Sequence, residues 1–66
     1  MRLTVNGRTW EGDRVLSVQG LVEQLTEARR GVAVAVNGTV VPRSTWATVS
    51  LADGDAVEVL TAAQGG

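Results

Sequence analysis

The 66-residue chain has no cysteine, no histidine, no tyrosine and no lysine, and each gap removes a class of chemistry. Without Cys or His there is no disulfide framework and no zinc cluster, and no redox compartment can be read from cysteine usage. Without His, Cys, Tyr or Lys the common nucleophiles and general bases are missing. Seven carboxylates, several hydroxyls and the two chain ends remain. Carboxylate pairs hydrolyse glycosides, but so short a chain has little material for the cleft that reaction needs, so an enzyme is not expected. Positive charge is also scarce. All six cations are arginine and the net charge is −1, which excludes the basic footprint of a nucleic-acid binder. The longest apolar run, Val32 to Val36, is far too short to span a bilayer. Arg2 is followed by no apolar stretch of the secretory type, so the cytoplasm is the expected location.

What is present describes a small globular domain. Apolar residues make up 44% of the chain and charged residues 20%, a balance typical of folded rather than disordered proteins. A domain of this size buries only about 60% of the surface its unfolded chain exposes. At roughly 0.05–0.15 kcal/mol per residue, a net stability of about 3–10 kcal/mol is expected.

Residues 2–5 alternate polar and apolar as a half-buried strand does. Asn6-Gly7 follows, the pair that best tolerates the two positive φ angles of a type I′ hairpin turn. Such a turn pairs Val5 with Arg8, Thr4 with Thr9 and Leu3 with Trp10, and sets Trp10 over the core. Ser17 is placed to cap a helix running to about Arg29 or Arg30. Val18, Leu21, Val22, Leu25 and Ala28 give that helix one apolar stripe. Leu16 and Leu21 are spaced as a hydrophobic staple. Arg29 and Arg30 sit in the expected last turn, opposite the helix dipole, and Gly31 is the expected left-handed terminator.

Residues 32–36, Val-Ala-Val-Ala-Val, are apolar on both faces, so this strand is central or its outer face meets a partner. Asn37-Gly38 turns the chain into Thr39-Val40-Val41, and Pro42 ends that piece before a short helical turn at Ser44-Thr45-Trp46. Asp53-Gly54 turns again into a final strand over 56–60, with Val57 and Val59 inward and Glu58 and Leu60 outward. One amphipathic helix on one face of a mixed sheet of four or five strands is an α+β roll of the β-grasp, ubiquitin-like kind. Residues 1–60 form that domain, and 61–66 are its C-terminal tail.

The tail, Thr61-Ala-Ala-Gln64-Gly65-Gly66, contains no bulky side chain. A terminal Gly-Gly arises by chance in roughly one chain in 200, so the pair gains weight from its position. At about 3.3–3.6 Å per residue the tail reaches roughly 20 Å from the domain. Gly65 and Gly66 lack a Cβ and so fit a narrow channel in any backbone conformation a partner imposes. The terminal carboxyl, ordinarily with a pKa of about 3.3–3.7, is an anion at neutral pH and a poor electrophile. Acyl chemistry there needs activation, most simply by adenylation from ATP. The chain has no phosphate-cradling motif of its own, so a partner enzyme must perform that step.

The block Val36-Asn37-Gly38-Thr39-Val40-Val41-Pro42-Arg43, then Trp46, Asp53-Gly54-Asp55, Val57-Glu58-Val59 and the final Gly65-Gly66, resembles the ThiS family of thiamin-biosynthesis sulfur carriers. The likeness covers nearly the whole chain. It implies that Gly66 is adenylated by a ThiF-like adenylyltransferase using ATP and a sulfur donor, and converted to a thiocarboxylate. Sulfur then passes to the thiazole synthase ThiG, with Gly65 escorting the terminal residue and Gln64 preceding it in the tail. The small subunit of molybdopterin synthase shares the ending, but it is typically longer and carries proline before the glycines. The absence of Pro from 60–64 favours the thiazole branch. Carriers for molybdopterin, cysteine or other metabolites, and a β-grasp interaction module with an incidental Gly-Gly, are the alternatives.

If the first and last strands pair centrally, Ala33, Ala35 and Leu60 lie together on the face away from the helix, beside the tail's root. They are the candidate docking surface for the activating enzyme. Trp10 and Trp46 read as core plugs, and Asp53 and Asp55 as turn residues. Arg43 fits equally a solvated cation or a contact to an acidic partner. Short edges and mixed charge favour a monomer for the free protein.

Overall fold

The computed structural model describes residues 1–28 and 30–62. Strand β1 (Arg2–Val5) and strand β2 (Arg8–Glu11) are followed by helix α1 (Val18–Leu25). Strands β3 (Val32–Val36) and β4 (Thr39–Val40), a 3-10 turn at Arg43–Thr45 and strand β5 (Ala56–Thr61) complete the order. The five strands form one sheet in the order β2-β1-β5-β3-β4. β5 is central, parallel to β1 and antiparallel to β3, while both hairpins are antiparallel. The roll expected from the sequence is the one observed, with five strands and, among the described residues, one α-helix.

Both hairpins follow from their Asn-Gly pairs. Asn6 and Asn37 hold φ of 51° and 52°, with Gly7 and Gly38 at 82° and 85°, the left-handed pair a type I′ turn requires. The register is the expected one: Leu3 faces Trp10, Thr4 faces Thr9 and Val5 faces Arg8. Trp10 is half-buried against the core, whereas Leu3 is fully buried.

α1 lays Val18, Leu21 and Val22 on the inner face of the sheet, against Leu3, Val34 and Val57. Three of its N-terminal donors are satisfied from outside the helical ladder. The Ser17 hydroxyl accepts the Gly20 N–H at 3.0 Å, and the Val49 and Trp46 carbonyls accept the N–H groups of Val18 and Gln19 at 2.9 and 3.0 Å. Leu16, before the cap, is half-buried against the same core. Trp46 plugs the end of the core at 2% exposure, its indole N–H donating to the Val41 carbonyl at 2.9 Å. The Arg43 guanidinium stacks 5.2 Å from the centre of its ring, so that cation is engaged within the domain.

The helix is shorter than its pattern predicts. It stops at Leu25, not at Arg29 or Arg30, because Thr26 is extended (φ −154°, ψ 150°) while its N–H still closes on the Val22 carbonyl. The Thr26 hydroxyl accepts the Ala28 N–H at 3.0 Å, a local bond that competes with another helical turn. Leu25 is therefore 40% exposed and Ala28 lies beyond the helix. No cation occupies the last turn, so the expected dipole pairing of Arg29 and Arg30 does not apply; Arg29 itself is outside the described residues. Gly31 is left-handed, at φ 70°, but it precedes β3 instead of closing α1.

Candidate functional site

The site is organised by β5, the strand that leads to the C-terminus. On one flank, β3 pairs with it from Val36↔Val57 to Val32↔Thr61. That ladder continues one step further, where the Ala62 N–H donates to the Gly31 carbonyl at 2.7 Å. Here the left-handed glycine has its use: a Cβ at position 31 would meet the Ala62 Cβ at 3.2 Å, besides needing a φ that side chains disfavour. On the other flank, the turn after β1 supplies Asn6, whose N–H reaches the Val57 carbonyl at 2.9 Å. The Asn6 carboxamide then accepts the Val59 N–H at 2.8 Å and donates to the Val59 carbonyl at 3.0 Å.

The start of β5 is fixed in the same way. Asn37 accepts the Ala56 N–H at 2.9 Å and donates to the Asp55 carboxylate at 3.0 Å. Asp55 also accepts the Ala52 N–H, and Asp53 accepts the Arg2 N–H, so both aspartates act in the turn as expected.

The outer face of the sheet carries the expected apolar patch. Ala33 and Leu60 are direct cross-strand partners, and Ala35 lies two residues along on the same face. Leu60 is 66% exposed, Ala33 is exposed and Ala35 half-buried. The patch extends to Val40, which pairs with Ala35 and is 71% exposed. Val40 is absent from the sequence-derived patch, although the two-residue turn at Asn37-Gly38 already puts it opposite Ala35. Glu58, also opposite Ala35, gives the patch one anionic border. Further along this face lies the exposed Arg2–Glu11 ion pair at 2.7 Å. The patch therefore sits at the exit end of β5, while the ion pair marks the far side of the sheet.

Gln64, Gly65 and Gly66 lie outside the described residues, as does Ala63. A shallow groove beside the end of α1 is bordered by Gln19, Glu23, Glu27, Arg43 and Trp46. Gln19 donates to Glu23 there at 2.8 Å, which occupies that carboxylate in a helix-surface pair. Among the described residues no group of three or more Asp or Glu is placed to hold a metal ion. No helix among them is long and apolar enough to cross a membrane.

These features define a class: a ubiquitin-like β-grasp domain whose central last strand, held on both flanks, leads past an open apolar face toward a glycine-ended terminus. Within that class the chain belongs to the ThiS family, which it matches over residues 3–66. It is 32% identical to the sulfur carrier protein ThiS of Escherichia coli strain K12, over the full length of both chains. It is 35% identical, over all 66 residues, to a thiazole synthase of Paramagnetospirillum magneticum, and spans 20% of that relative's length. The crystal structure of a thiamine biosynthesis protein, ThiS, from Geobacter metallireducens superimposes with a TM-score of 0.80 at 39% identity, covering 92% of this chain and 93% of that one. An NMR solution structure of a thiamine biosynthesis protein from the same organism gives 0.78 at 41% identity, covering 91% and 81%.

Proposed function

We propose that this protein is the sulfur carrier of thiamin thiazole formation, and that Gly66 is the residue that carries the sulfur. The observation that bears most weight is the placement of β5. The strand is central, held at Val57, Val59 and Ala62, and it ends beside the exposed Leu60–Ala33–Ala35–Val40 patch. A domain so built offers a partner an apolar face beside Ala62, the point from which the remaining four residues continue.

The chemistry divides between the proteins. On the partner, a ThiF-like adenylyltransferase, an oxygen of the Gly66 carboxylate attacks the α-phosphorus of ATP and pyrophosphate leaves. The acyl carbon is now electrophilic; a reduced sulfur nucleophile adds to it and AMP departs, leaving a thiocarboxylate. On the thiazole synthase ThiG the sulfur passes to the acceptor substrate, the acyl C–S bond breaks, and an oxygen from water or from that substrate bonds to the acyl carbon, so the chain end returns as a carboxylate. This chain contributes the acyl group, a narrow tail and a docking face. The match of all 66 residues to one fifth of a protein named thiazole synthase supports the last partner.

Intact-mass measurement after incubation with the activating enzyme, ATP and a sulfur donor tests the reading. The expected change is one oxygen replaced by sulfur, mapped to Gly66. Deleting Gly66 abolishes the gain, and an unchanged melting temperature shows that the fold survives the deletion. A deletion variant that still acquires sulfur overturns the assignment.

A further inference from the structure

We infer that Asn6 is a positioning residue for acyl transfer at the C-terminus: its carboxamide holds, from the β1 side, the strand end from which the carrier's tail departs. The inference rests on the carrier reading above. β1 is too short to pair with the end of β5. Its last main-chain bond runs from the Asn6 N–H to the Val57 carbonyl. At φ 51° the Asn6 backbone then turns away into the hairpin. In the next rung a main-chain group of β1 would normally face Val59. The Asn6 side chain takes that place, accepting from the Val59 N–H at 2.8 Å and donating to its carbonyl at 3.0 Å. The pair is partly buried and joins residues 53 positions apart.

An asparagine at a type I′ turn needs no partner, since its tolerance of positive φ is reason enough for its presence. The second hairpin shows how the two roles separate. Asn37 has the same turn conformation and also binds β5 through its carboxamide, but at Ala56, the first residue of the strand. Asn6 binds at Val59, two residues before the strand ends. Loss of the Asn37 contact loosens the entry of β5; loss of the Asn6 contact releases one flank of its exit. The β3 flank still holds Leu60 and Ala62, so the docking patch stays in place. The affected quantity is the fraction of docked complexes in which the terminal carboxylate reaches ATP. That fraction enters kcat, not KM.

The matched substitutions are Asn6→Gly and Asn37→Gly, because glycine keeps each left-handed turn while removing the side chain that carries the carboxamide. Asn6→Asp retains the acceptor and loses the donor, and serves if the glycine variant fails to fold. The full-length proteins are compared by hydrogen exchange and by steady-state pyrophosphate release with the activating enzyme. Asn6→Gly speeds exchange at the Val59 amide and lowers kcat about ten-fold, the scale on which small misplacements of reacting groups act, with KM unchanged. Asn37→Gly lowers the melting temperature about as much as Asn6→Gly does and leaves kcat unchanged. Equal kcat in wild type and Asn6→Gly, or equal losses in the two glycine variants, overturns the positioning role while the carrier reading stands. A wild-type chain that is never adenylated overturns both.

Discussion

Truncation of Leu60 tests whether the outer face is where the activating enzyme docks. Leu60 is 66% exposed and faces Ala33 across the β3–β5 ladder. Full burial of a leucine side chain is worth about 1.5–3 kcal/mol, so covering the exposed two-thirds contributes about 1–2 kcal/mol. Leu60→Ala forfeits most of that in the complex. At 1.4 kcal/mol per decade, KM in pyrophosphate release rises about 5- to 30-fold. The free domain barely registers the change, because substitutions at exposed positions stay within about 0.5 kcal/mol. In a domain of this size that corresponds to a melting shift of no more than about 4 °C. Thr9→Ala is the control: it lies on the same face, on the edge strand β2, two strands away from Leu60. Its KM stays at the wild-type value. An unchanged KM for Leu60→Ala, in a chain that is still charged, refutes docking through this face. A melting point that collapses instead makes Leu60 a structural residue.

Two further outcomes concern the fold. Trp46→Phe keeps most of the buried volume but leaves the Val41 carbonyl without its donor, at a cost of about 1–3 kcal/mol. Circular dichroism should therefore record a melting point lower by roughly 4–24 °C, and no loss would mean the carbonyl finds another partner. Gly31→Ala forces a side chain into left-handed backbone against Ala62, and urea unfolding should show a loss of about 1–2 kcal/mol. Stability equal to wild type would show that the Gly31 turn relaxes freely.

Local signals carried most of the architecture. Each Asn-Gly pair sets a turn of known geometry, and a two-residue turn fixes every pairing in its hairpin, from Leu3 with Trp10 to Ala35 with Val40. Period-two alternation placed Ala33, Ala35 and Leu60 on one face, and the observed register makes Ala33 and Leu60 direct neighbours. The end of the helix was not legible. Apolar spacing continues through Ala28, and the cations beyond it look like a helix terminus. The competing hydroxyl bond of Thr26 is a matter of a single side-chain rotamer. Gly31 was legible as left-handed but not as the partner of Ala62, because that contact depends on how β5 ends. The Asn6–Val59 contact left no trace in the sequence, since the turn already accounts for the asparagine. Of the candidate site, the docking patch and strand β5 are described, while Gln64, Gly65 and Gly66 lie outside the described residues.

The central position of β5 has a mechanical consequence. Pulling the chain end along the strand axis loads the rungs to β1 and β3 together, in shear, so no single bond bears the force first. An edge strand drawn away sideways would instead open like a zipper, one rung at a time. Force applied along β5 from its exit is thus shared across the strand, and the domain resists it as a unit.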